Sequence, residues 1–321
     1  MWNVIRNVDD GFLAGIDVVM KTLQQRRDEA LPDFHDDVGI FVASDYGGRH
    51  REAAYEAYSF VFTTPVRWMA WELERRRVRE DLHLGRRMSY KNLSDTQRMN
   101  ALPGFIGAAS LLGGVTVTVL VHKRITSLLA PGRGLDMKRV ELARFKAWRP
   151  SVVERMLRII YLLTCFVAGF SSEGQRVLWM TDEDEIVANS KHHEDVVDVA
   201  ATVLSRLAPH SLAKLEVVTT ASDNGSLEIE DLTAIADLTA GGVVEVMTAL
   251  AERGGSTGRS VARVVDPKTR KSVRLLHWIS QTSLPLKHIV ISVDPGASSS
   301  QLNFRRMVFQ TMERPRLVQL S

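Results

Sequence analysis

Three acidic positions, far apart in the chain, could do chemistry: Asp45, the run Asp182-Glu183-Asp184-Glu185, and Asp237. Asp45 ends the apolar run Gly39-Ile40-Phe41-Val42-Ala43-Ser44 and is followed by Tyr46-Gly47-Gly48. The acidic run ends a second apolar stretch, Val177-Leu178-Trp179-Met180. Asp237 lies inside a helical pattern, Ile235-Ala236-Asp237-Leu238-Thr239-Ala240-Gly241. Two strand-end carboxylates and one on a late helix can clamp two divalent cations about 3.5–4 Å apart, the arrangement that hydrolyses phosphodiesters. If the strand continues through the acidic run, alternation places Asp182 and Asp184 on one face and Glu183 and Glu185 on the other. The expected set is Asp45, Asp184 and Asp237, with Asp182 or Glu183 assisting.

Each position also has a plainer account. Asp-Tyr-Gly-Gly is a common turn opening, and an acidic run ahead of a helix is favoured by the helix dipole with no metal at all. Asp237 resists such an account. Leu232, Ile235, Ala236, Ala240, Val243 and Val244 read as the buried positions of its helix, and an aspartate among them calls for a site nearby. The small residues Ala236, Ala240, Gly241 and Gly242 read as the face that packs closely on a sheet.

The elements that must position these groups follow from periodicity. Residues 1–37 read as a helical lead-in, with Phe12, Ile16, Val19 and Leu23 on one face. Strands are expected at 38–44 and 57–63, joined as a hairpin and closed by Thr64-Pro65. An exposed helix is expected over 68–82, a helix capped by Ser94 towards Leu112, and a strand over 115–121. A helical zone over 137–170 is interrupted at Pro150, and its nearly all-apolar 159–170 portion should be buried. Strands at 175–180 and 215–220 alternate with helices at 192–207 and 229–253. A mobile loop over 254–260, a short helix over 275–280, a strand over 289–293 and a basic tail complete the chain. Strands alternating with helices after an initial hairpin indicate an α/β core with a mixed sheet over 38–253, followed by a C-terminal basic extension over 254–321.

The net charge of +3 hides a strong asymmetry. Between Arg67 and Arg158 there are 19 Lys/Arg against 8 Asp/Glu; between Asp182 and Glu245, 3 against 14; from Arg253 onwards, 12 against 3. An acidic centre flanked by phosphate-gripping surfaces needs such a split, although solvated helix faces could also produce it. Arg86, Arg87, Lys91, Lys123, Arg124, Arg270 and Lys271 are the residues expected to hold a phosphate backbone.

Other chemistries find less support. Cys165 is the only cysteine, which excludes an internal disulfide and a cysteine zinc cluster. His192-His193 diverge on a helix, Trp278 beside His277 reads as core, and Gly132-x-Gly134 lacks the strand-turn-helix setting of a nucleotide loop. Residues 101–121 carry no charge and are long enough to span a bilayer. Gly113-Gly114 cuts them, and 115–121 alternate with period two, so a helix, a turn and a buried strand are expected instead. The N-terminus lacks a signal-peptide pattern. The expected location is cytoplasmic, with no membrane partner.

The chain resembles the RNase H-like superfamily. More narrowly, it resembles an uncharacterised bacterial family whose first strand ends in D-E-S-G and whose last helix carries an A-D-L-x-A-G motif. Here these stand as Asp45-Tyr46-Gly47-Gly48 and as Ala236-Asp237-Leu238-Thr239-Ala240-Gly241. Tyr46 and Gly47 depart from the first motif, and Ala234 or Ile235 stands where a glutamine is common before the second. The resemblance covers residues 38–253. It implies an RNase H-like mixed sheet with flanking helices and a nuclease or nuclease-like subunit acting on DNA or RNA by a two-metal mechanism. Mg²⁺ or Mn²⁺ would be held at Asp45, Asp182, Glu183, Asp184 and Asp237. The alternative it implies is a catalytically eroded binding or scaffold protein, with a protein partner in a multi-protein bacterial system such as defence against mobile DNA.

Overall fold

Alternating apolar residues divide each central strand between two cores, and the computed structural model of the chain shows both. It describes residues 1–8, 11–26, 31–128, 145, 148–183, 186–187, 189–252, 261–264, 269–298 and 301–311. The strands are β1 (Gly39–Gly47), β2 (Tyr55–Thr63), β3 (Gly114–His122), β4 (Arg176–Thr181), β5 (Lys214–Thr219), β6 (Val261–Val264), β7 (Leu286–Pro295) and β8 (Leu302–Thr311). The helices are α1 (Phe12–Gln24), α2 (Pro65–Asp81), α3 (Thr96–Ser110), α4 (Pro150–Phe170), α5 (Ser190–Leu207), α6 (Glu228–Glu252) and α7 (Arg270–Ile279).

Seven strands form one mixed sheet in the order β5-β4-β1-β2-β3-β7-β8, and the short β6 pairs in parallel with the outer side of β8. β1, β3, β4, β5 and β7 run the same way, while β2 and β8 run against them. The expected α/β class with a mixed sheet is therefore present. β7 pairs with β3 along Gly114–Val121, so the C-terminal segment extends the same sheet.

Ile40 and Val42 of β1, Phe60 and Phe62 of β2 and Val115, Val117 and Val119 of β3 point into one core, covered by α1, α4 and α5. Ala43, Val61 and Leu120 point into the other, covered by α2, α3, α6 and α7. Residues 159–170 are all buried, as their composition requires. The uncharged stretch 101–121 is the end of α3, a turn and β3. Among the described residues one helix, α6, is long and apolar enough to cross a membrane, and it lies buried across β1 and β2.

Several boundaries differ from expectation, each for a local reason. β1 continues past Ser44 to Gly47, because Asp45, Tyr46 and Gly47 pair with Ser59, Tyr58 and Ala57. Asp45 is thus a strand residue and opens no turn. α2 starts at Pro65 itself, whose missing N–H is no loss at the first helical position. Asp95 caps α3 where Ser94 was expected, accepting from the Arg98 N–H at 2.9 Å. The basic tail contains β8, and β6 was not expected at all. β4 stops at Thr181, so strand alternation does not extend through the acidic run. Asp184 and Glu185 lie outside the described residues, as does the expected loop over 254–260.

Candidate functional site: a carboxylate group bridged by an arginine

Strand parity decides where Asp45 points. It shares the face of Phe41 and Ala43, and so looks towards α6. β4 runs parallel to β1 with Ser44 opposite Thr181, so Asp182 follows one step beyond the last pair, level with Asp45. α6 crosses above these strands and supplies Asp237. Three aspartates, separated widely in sequence, thereby come within electrostatic reach of one another.

Arg87 joins two of them. It comes from the segment between α2 and a short 3₁₀ turn at Tyr90–Ser94. Its Nη1 donates to Asp182 Oδ2 at 2.7 Å and its Nη2 donates to Asp45 Oδ2 at 3.1 Å. The Tyr46 N–H donates to Asp45 Oδ1 at 2.6 Å. Asp182 Oδ1 accepts from Thr220 Oγ1 at 2.9 Å and from the Glu183 N–H at 3.0 Å. Glu183 itself is exposed and contributes this backbone group.

Asp237 is held differently. Residues 237, 241 and 245 stand four apart along one face of α6, and the 3₁₀ turn lies along that face. The Tyr90 N–H donates to Asp237 Oδ2 at 2.6 Å. The Tyr90 ring rests on Gly241, where a Cβ would come within 2.1 Å of the ring's Cγ, and its hydroxyl donates to Glu245. Gly241 was expected to face the sheet. Ala240 does so instead, lying where a Cβ on Gly47 would meet it at 3.5 Å, while Gly242 packs against Leu275 of α7.

The electrostatics follow from this crowding. Burial, then repulsion from Asp237, pushes the Asp45 carboxyl well above the ordinary carboxylate range, against the opposing pull of Arg87. Burial also raises Asp237, partly offset by the Tyr90 N–H and the Arg87 charge. Glu230, two turns earlier on α6, is raised by burial and feels the same guanidinium. One arginine thus compensates several carboxylates only in part.

The expected phosphate-holding residues are spread unevenly. Arg86, Lys91, Arg124 and Arg270 are exposed, and the Lys91 charge acts on Asp237. Lys271 places its ammonium 3.8 Å over the Tyr90 ring, and Lys123 Nζ donates to the His50 carbonyl at 2.6 Å. Lys123 and Arg124 follow β3 at the same sheet end as Asp45 and Asp182. Of the set, Arg87 enters the carboxylate group. The set-aside groups have structural partners: His192 stacks on Trp148 at 3.7 Å, and buried Trp278 donates to Ser110 Oγ at 2.9 Å.

The departures from the first-strand motif can now be placed. Tyr46 points away from Asp45 into the opposite core, where its hydroxyl lies 2.7 Å from Ser44 Oγ. Gly47 faces Ala240 of α6. Tyr46 meets the carboxylate group through its backbone N–H alone, and its side chain stays out.

All the donors are oxygens of the kind hard divalent cations take. Among the described residues, however, no three His, Cys, Asp or Glu side chains are gathered as a ready metal-binding group. The cation that Asp45 and Asp182 share is the guanidinium of Arg87. No protein family, curated protein or solved structure gives a match to this chain.

Proposed function

We propose that this protein is a metal-dependent nuclease of RNase H-like architecture, acting on the phosphodiesters of DNA or RNA. The observation that carries the reading is the meeting of Asp45, Asp182 and Asp237 at the end of β1, the end of β4 and one face of α6. A mixed sheet that opens with a hairpin, with carboxylates on these elements, is the arrangement an RNase H-like resemblance implies. Asp45 sits in a strand hydrogen-bonded on both sides, the least mobile place for a shared ligand. Asp237 is held at a fixed height by the Tyr90 N–H, and Asp182 is oriented by Thr220. Mg²⁺ or Mn²⁺, when bound to these carboxylates, would supply the activated water and the stabilisation of the leaving oxygen. Exposed Arg86, Lys91, Arg124 and Arg270 would attract the phosphate backbone.

The test is cleavage of single- and double-stranded DNA and RNA with Mn²⁺ or Mg²⁺. Replacing even an outer-shell partner of a metal typically costs 10–100-fold, so Asp45→Asn and Asp237→Asn should each lose about 100-fold or more. Cleavage that survives both substitutions unchanged would falsify the site.

A second reading has its own observation. Because Arg87 already pairs Asp45 with Asp182, the same fold could serve as a binding or scaffold subunit with no cation. Calorimetry separates the two: a scaffold takes up no Mn²⁺ yet retains its nucleic acid or protein partner.

A further inference from the structure

Two arginine clusters in this protein are built differently. Arg75, 2% exposed, spends its whole guanidinium: Nε and Nη2 donate to Glu72, and Nη1 donates to Asp231 Oδ2 and to the Ser226 carbonyl. Arg87 is 24% exposed, and its Nε is buried with no partner among the described residues. Its carrier segment is neither helix nor strand, and it includes exposed Gly85, around which a Cβ would meet nothing. Arg75 is paired on all three nitrogens; Arg87 is held by two side-chain bonds and is partly open to solvent.

The carboxylate oxygens say the same from the other side. Asp45 and Asp182 have a hydrogen-bond donor on each oxygen, and Arg87 supplies one to each residue. A cation bridging the two Oδ2 atoms would take the place that the guanidinium now holds. Once Arg87 leaves, the repulsion that already bears on Asp45 loses its opposing charge, so the vacated carboxylates would draw a divalent ion strongly.

We infer that Arg87 is a tethered, exchangeable counter-ion of this group: it occupies Asp45 and Asp182 in the metal-free protein and withdraws to solvent when a divalent cation binds. The inference rests on the metal-binding reading proposed above. It makes cation affinity a competition with a side chain of the protein itself, so that Arg87 restrains metal loading.

Titration of Mn²⁺ into the metal-free 321-residue chain by calorimetry tests it, comparing wild type, Arg87→Gln and Arg87→Lys, with Asp45→Asn as the control lacking a ligand. Arg87→Gln should bind Mn²⁺ about tenfold tighter than wild type. It should also melt below wild type without metal and recover in Mn²⁺. Should Arg87→Gln fail to fold, Arg87→Lys, which keeps a charge but loses the two-pronged grip, must still bind Mn²⁺ tighter than wild type. Equal or weaker binding by the Arg87 variants overturns the inference and leaves the metal site standing. Absence of Mn²⁺ uptake by every variant, wild type included, overturns both.

Discussion

Asp237 is an acid held where its charge is poorly tolerated, and that has a measurable consequence. Its carboxyl titrates above the ordinary value of 3.8, mainly because of burial. Between 3.8 and the raised value the folded protein keeps a proton that the unfolded chain has released, so stability falls as pH rises through that window and stays lower above it. Asp237→Asn cannot ionise, yet keeps an oxygen for the Tyr90 N–H. The metal-free variant should therefore melt above wild type at pH 7, with the gap closing as pH falls towards 3.8. A gap that does not change with pH would refute this account. Asp231 is the opposite case: fully buried, it is paired with both Arg75 and Arg79. Asp231→Ala takes the carboxylate partner from Arg79 and one of two from buried Arg75, and should cost about 3–5 kcal/mol in urea unfolding. A loss under about 1 kcal/mol, within the range of an exposed pair, would contradict the buried network.

At the scale of elements, α6 organises the site, because one of its faces meets the sheet and another meets the Tyr90 turn. Gly241 sits between these demands. On helix propensity alone, replacing an interior glycine by alanine should stabilise by about 1 kcal/mol. Here the added Cβ enters the Tyr90 ring, so Gly241→Ala should instead destabilise by about 1–3 kcal/mol, the usual range for overpacking. It should also loosen the turn that holds Asp237. A variant more stable than wild type in urea would show that Tyr90 does not rest there. That helix-face contact was invisible in the sequence, where Gly241 reads only as a small residue near a sheet. The helix itself was legible, since Leu232, Ile235, Ala236, Ala240, Val243 and Val244 are all buried as their spacing requires.

Across the whole molecule, the sheet does not end with the core that the sequence outlined. β7 pairs with β3 residue by residue from Gly114 to Val121, and Leu286, Val290 and Ile291 fill both cores. A chain ending at residue 285 would leave β3 as a bare apolar edge. It should be insoluble or melt without a cooperative transition, as judged by solubility and calorimetry. A soluble 1–285 fragment with a sharp transition would make the C-terminal segment a separate unit. β8 was not legible because its alternation, Leu302-Asn303-Phe304-Arg305, is broken at Arg306 after only four residues.

What the sequence determined by itself is everything that depends on period. The apolar runs of β1 and β4, the alternation of β3 and the helical stripe of α6 follow from local burial, which each segment records in its own composition. Hence Asp45 and Asp237 could be singled out, and an α/β mixed sheet expected. Tertiary structure decided which charges meet. Arg86 and Arg87 are indistinguishable in the chain, yet one faces solvent and the other reaches carboxylates 42 and 95 residues away. Such pairings depend on strand order and on a helix crossing, which no local pattern encodes.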